Sequence, residues 1–280
     1  MQHISHTSAA ERMRVKPRGN EFVFSIVALL VSFIIVQSVY ALIIRPKAAM
    51  LMEQRLIEMQ QGLRQTSLRS FYVIVKDYEQ ETAAILACWA IALTAFRAYA
   101  IVIDRRLLDV NFVEMSEDLV VLPADVASVS HRIEQVQPQA NRKLLPRALT
   151  VALERFAATH SVHEAAEAMN SECETEAARL DTELSMLRFV AWGIPAVGFV
   201  GTVRGIGDAM QDAQRAAGGD ISGVTLGLGI GFNSTLTALV LTIGVMFLLH
   251  QLQLSQDRLV LDTKAYVDKH LIRRLRVIEP

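Results

Sequence analysis

Cysteine is almost missing from this chain of 280 residues. Cys88 lies in an apolar run and Cys173 in a Glu-rich one, so no disulfide between them is expected, and no CxxC pair is present. Net charge is almost missing too: 28 Lys and Arg against 29 Asp and Glu leave −1, with no basic stripe interleaved with aromatics. That excludes the electrostatic footprint of a nucleic-acid binder. There is no GxxxxGK[ST] phosphate loop, no GxSxG elbow and no paired-carboxylate pattern, so an ATP-driven motor or a hydrolase has nothing to stand on. The HEAAE at His163–Glu167 lacks the second histidine of a zinc helix, and with His160, Glu172 and Glu174 it reads as solvated helix surface. No metal, no cofactor and no enzymatic activity is expected.

What the chain has is apolar length. It is 52% hydrophobic and only 20% charged, with a mean hydropathy of +0.30. Phe22–Ile44 carries no charge, and at about 1.5 Å per residue it crosses a hydrocarbon core of about 30 Å. Arg12, Arg14, Lys16 and Arg18 precede it, as in a secretory signal, but its length and the sequence after it, IIRPKAAM, favour an uncleaved anchor. A second run, 82–103, is interrupted by Arg97, whose long side chain is expected to snorkel to the nearer interface. A third, from Phe189 to about Met210, contains Pro195 and Arg204, and a fourth, Ile221–Leu249, is again free of charge. The fold class expected is an all-α membrane protein with four transmembrane helices and long cytoplasmic helical extensions.

Four spans put both termini on one side. The tail 1–21 holds four basic and two acidic residues and 251–280 holds six basic and four acidic, which leans toward termini inside. On that topology 45–81 is an extracytoplasmic helical connection, with Leu51, Leu56, Met59 and Leu63 at helical spacings and Gly62 as a weak point. Residues 104–186 form a cytoplasmic helical region, loose around Pro123, Pro138 and Pro146 and amphipathic from Leu144 onward. Residues 187–250 are a transmembrane hairpin. The tail 251–280 repeats apolar residues at Leu252, Leu259 and Tyr266, with Ile272 and Leu275 beyond, and should extend the fourth span as one helix.

The hairpin carries the informative pattern. In its second helix Gly223, Gly227, Gly231 and Thr235 recur every fourth residue, ending in Asn233, Ser234 and Thr235. In its first, Gly198, Gly201 and Gly205 flank Thr202. Small residues let membrane helices approach closely, and a hydroxyl there either bonds its own i−4 carbonyl or lines a polar path. Both readings stay open on spacing alone. Arg204 likewise has two readings: an interface residue paired with Asp208 or Asp212, or a charge at the outer pore mouth. No Asp or Glu lies in the interior of any span, and hydroxyls do not titrate in the physiological range. A proton relay through these helices therefore needs an acid from a partner.

IPAVGFVGTVRGIGDAM, followed by GDISGVTLGLGIGFNSTLTALVLTIGVMFLLH, resembles the membrane hairpin of the MotA/TolQ/ExbB proton-channel family. The resemblance spans roughly residues 187–275. It implies a multi-pass protein of the bacterial inner membrane, assembled as a homo-oligomer, typically a pentamer. It also implies a single-span ExbD/TolR/MotB-like partner that carries a membrane aspartate. Thr202 and Thr235 match the two threonines that face the family's pore, with Asn233 and Ser234 beside them on the ion path. The function implied is a channel or stator subunit that couples an ion gradient, proton or sodium, to mechanical or conformational work. The alternative is a scaffold or signalling subunit that keeps the ring-forming hairpin and conducts nothing.

Overall fold

The structure is a computed structural model that describes residues 19–60, 70–110, 112, 121–136 and 143–276. The tail up to residue 18, Gly62 and Leu63 of the first connection, Pro138 and residues 277–280 lie outside the described residues. Helices α1 (Gly19–Val39), α2 (Arg45–Gln60), α3 (Phe71–Ile74) and α4 (Tyr78–Arg106) are followed by α5 (Val126–Val136), α6 (Leu144–Thr159) and α7 (Val162–Glu183). Then come α8 (Ser185–Gln211), α9 (Ala213–Ala217) and α10 (Ser222–His270). Among the described residues no β-strand forms; Val121 and Leu275 make one isolated bridge.

Four helical stretches are long and apolar enough to cross a membrane: Phe22–Gln54, Tyr78–Asp109, Val162–Gln211 and Ser222–Arg274. Their apolar side chains face outward. Leu42 is 78% exposed, Trp192 76% and Ile243 71%, values that a chain folding alone in water does not tolerate over whole helices. This is an all-α membrane protein.

The chain divides into two compact units, Met1–Trp89 with Ile194–Leu239, and Ala90–Gly193 with Val240–Pro280. In the first, α1 and α2 run on through a single π turn at Tyr40–Ile44, where the Arg45 N–H reaches back five residues to the Tyr40 carbonyl. Pro46 explains the wide turn: a proline ring crowds the carbonyl four residues before it and has no N–H to give that carbonyl. The turn seats Tyr40 and Ile44 on Val75, flanked by Val36, Tyr72, Ile74 and Ala84. It also brings the Arg45 guanidinium 2.6 Å from Glu81 Oε2 and 4.8 Å above the Tyr78 ring. Further along, Trp89 Nε1 donates to the Ser25 carbonyl at 2.9 Å.

The second unit has an ordinary hydrophobic core. Leu145, Leu149, Leu153 and Phe156 of α6 pack with Met169 and Cys173 of α7, Ile133 of α5, and Val267, Leu271 and Leu275 of the C-terminal segment. Helix α6 ends on His160 in the left-handed region (φ 51°), and Ser161 caps α7 by accepting from the Glu164 N–H. Across this unit runs a ladder of half-buried ion pairs: Arg147 to Glu172 and Glu176, Arg179 to Glu176 and Glu183, and Arg97 to Glu183. Burial opposes the charge on Arg147, but the bonds and charges of Glu176 and Glu172 outweigh it and hold the guanidinium above its usual range. Arg97, expected to snorkel to the nearer interface, has a carboxylate partner in Glu183.

Candidate functional site

The site is built on the contact between α8 and α10 within the first unit. At Gly205 a Cβ would lie 2.5 Å from the Gly227 carbonyl oxygen and 2.8 Å from Gly231 Cα. At Gly227 it would meet the Ala209 nitrogen and the Gly205 carbonyl oxygen, each at 2.7 Å. Gly231 lies against the Thr202 backbone, Gly198 against Ala238, Gly201 against the Ser234 side chain, and Gly223 against the Asp212 carboxylate. The two backbones thus approach as closely as glycine permits, which is what the four-residue repeat requires.

That closeness brings the hydroxyls together. Thr202 Oγ1 lies 3.1 Å from the Gly231 carbonyl oxygen, Thr235 Oγ1 3.1 Å from the Gly198 carbonyl oxygen, and the two hydroxyls touch each other. They meet within one chain. Two hydroxyl protons serve three acceptors: one threonine donates to the other, and the second donates to a carbonyl. The pair therefore has two orientations, Thr202 to Thr235 to the Gly198 carbonyl, or Thr235 to Thr202 to the Gly231 carbonyl. In either orientation the last proton goes to a backbone carbonyl, and the first hydroxyl keeps lone pairs that can accept from a water or a protonated carboxyl.

Ser234 is buried, donates to the Ile230 carbonyl at 2.9 Å and accepts from Gln80 Nε2 at 3.3 Å. Asn233 is half-buried and joins none of these bonds. Arg204 does not pair with Asp208 or Asp212, as the sequence had led us to expect; Asp212 is taken by Arg215 at 3.0 Å. Instead Arg204 makes a two-pronged bond with Glu79, Nε to Oε1 at 2.7 Å and Nη2 to Oε2 at 2.9 Å. The first turn of α4, rather than the next turn of α8, supplies the carboxylate.

That first turn, Glu79-Gln80-Glu81, is what sequence reasoning missed. Helical geometry fans three consecutive side chains around the axis, and each reaches a different helix. Glu79 meets Arg204 of α8, Gln80 meets Ser234 of α10, and Glu81 meets Arg45 at the start of α2. Gln80 is fully buried and uses all its main groups, donating also to the Ile74 carbonyl at 2.9 Å and accepting the Asp77 N–H at 2.8 Å. Beginning the second span at Thr82 hid these residues. The signal was the pair of acids just ahead of an apolar run, which marks the positive N-terminus of a helix.

Comparison with known proteins bears on the same hairpin. Residues 136–265 match the sequence model of the MotA/TolQ/ExbB proton channel family. No curated protein and no solved structure matches the chain. The matched stretch contains both threonines and every glycine of the α8–α10 contact, and it leaves Arg45 and the Glu79–Glu81 turn outside. The family resemblance thus falls on residues 136–265, which hold the α8–α10 hairpin of an all-α membrane protein with four helical stretches long and apolar enough to cross a membrane.

Proposed function

We propose that this chain is the channel subunit of an ion-driven machine of the bacterial inner membrane, a stator or energiser that passes protons and moves a single-span partner. The observation that carries the reading is the Thr202–Thr235 hydroxyl pair, held by glycine-on-glycine contacts inside the hairpin of a proton-channel domain. Threonine orients a proton carrier but does not titrate, and the two carboxylates at the head of α4 are engaged, Glu79 by Arg204 and Glu81 by Arg45. The titrating acid then comes from the partner, an aspartate on one membrane helix that docks where the hydroxyls can bond it. The outward apolar faces of the four spans fit a homo-oligomeric ring, a pentamer by family resemblance, with the termini and residues 104–186 in the cytoplasm. One proton crossing 100 mV releases about 2.3 kcal/mol, so work is done in repeated small steps.

The test is flux. The chain is co-expressed with a candidate partner, a single-span protein that carries one membrane aspartate, purified as a complex and reconstituted in vesicles containing a pH-sensitive dye. An imposed potential should drive acidification that a partner Asp→Asn variant lacks. A correctly sized complex that conducts neither protons nor sodium refutes the channel reading and leaves a scaffold.

A further inference from the structure

An arginine beside a cation pathway should repel the ion it serves. Arg204 is two residues past Thr202 on α8, and its side chain is 40% exposed. Glu79 is only 12% exposed, and its Cγ lies 3.1 Å from where a Cβ on Gly201 would stand, so the carboxylate is packed over α8 one residue before the threonine. The fork-to-fork geometry, 2.7 and 2.9 Å, is the arrangement in which a guanidinium and a carboxylate cancel most completely. Other charges at this end of the hairpin are Asp212, which is spent on Arg215, and Asp208 and Asp220.

We infer that Glu79 is a specificity-determining residue: it neutralises Arg204 from within the same chain, so that the approach to the Thr202–Thr235 pair is open to cations without waiting for a partner's charge. Arg204 in turn fixes the head of α4 on α8 and places Gln80 on Ser234. The inference deepens the channel reading and rests on it for its meaning, but its electrostatic core is measurable without flux. Gly207 lies one turn beyond Arg204, and a Cβ built there has nothing within 4 Å, so a cysteine at that position is tolerated and feels the Arg204 field.

In a full-length background with Cys88→Ala and Cys173→Ala, Gly207→Cys is reacted in vesicles with anionic, cationic and neutral methanethiosulfonate reagents. The neutral reagent corrects for access. Glu79→Gln leaves Arg204 uncompensated and should raise the anionic-to-cationic rate ratio about tenfold, and Arg204→Gln should lower it about tenfold. The double variant Glu79→Gln/Arg204→Gln should return the ratio to its starting value. Should Glu79→Gln fail to assemble, Arg204→Gln still decides the sign. A ratio that stays within twofold in both single variants overturns the inference. In the reconstituted complex Glu79→Gln should depress cation flux and the double variant should restore it. No flux from the unmodified complex counts against the channel reading alone, whereas normal flux from Glu79→Gln with a shifted ratio removes Glu79's role in specificity.

Discussion

Gly205→Ala adds one methyl group to α8, and the structure says where it must go. The new Cβ would sit 2.5 Å from the Gly227 carbonyl oxygen and 2.6 Å from the Gly231 nitrogen, roughly 1 Å inside ordinary contact. Those are backbone atoms of α10, which cannot rotate aside, so α8 and α10 separate. Overpacking of this kind costs about 1–3 kcal/mol, at the upper end where backbone meets backbone. Loosening the Thr202 and Thr235 bonds adds about 1 kcal/mol, and alanine's better helix propensity returns about 1 kcal/mol. The net destabilisation is about 3 kcal/mol. Gly207→Ala, two residues along the same helix, meets nothing within 4 Å and keeps only the propensity gain. Unfolding of both variants in a mixed-detergent titration, followed by far-UV circular dichroism, should separate them by about 4 kcal/mol with opposite signs relative to the parent. Equal stabilities would refute the close helix contact on which the site is built.

Gln80→Leu removes an amide that serves Ser234, the Ile74 carbonyl and the Asp77 N–H, leaving buried polar groups unpaired; a loss of about 2–4 kcal/mol is expected in the same titration. Cys173, in the Glu-rich start of the Val162–Gln211 stretch ahead of the apolar run from Phe189, is buried in the core of the second unit, and burial pushes its thiol up to about 11. It should resist iodoacetamide at pH 8 until the protein is unfolded, because the thiolate is the reactive form; rapid alkylation of the folded protein contradicts that core. A cysteine placed at Ser255 in a Cys-free background should be labelled by an impermeant maleimide only after the cells are opened, and labelling of intact cells would invert the topology.

Much of the fold is legible from hydropathy, because a lipid-facing helix must be apolar over its whole length and every polar break is conspicuous. The α8–α10 contact was legible for a related reason. Glycine at every fourth position has few uses in a membrane helix besides close approach, and at Gly205 and Gly227 a Cβ would strike the backbone of the facing helix at 2.5 and 2.7 Å. The partners of Arg97 and Arg204 were not legible. Both arginines pair with carboxylates far along the chain, Glu183 and Glu79, and one-turn rules reach only neighbours on the same helix. The turn Glu79–Glu81 was hidden by its own polarity: charges at a span boundary look like the edge of water, and only packing reveals that Gln80 and Glu81 are buried. The wide turn at Tyr40–Ile44 had its cause in view at Pro46, but whether a proline kinks, breaks or widens a helix depends on what the helix packs against.

The central claim is that the Thr202–Thr235 hydroxyl pair hosts the moving proton. Valine has nearly the shape of threonine and lacks the hydroxyl, so the Thr202→Val/Thr235→Val double variant removes both donors and leaves the glycine contacts in place. Purified with its partner, sized to confirm an intact ring, and reconstituted in vesicles, it should conduct at least tenfold less than the parent, on the scale expected when a charged carrier loses one or two hydrogen bonds of about 1.5 kcal/mol each. Thr237→Val, made as a control on the same helix, should conduct like the parent. Undiminished flux from the double valine variant would contradict the account and leave the hydroxyls as packing groups.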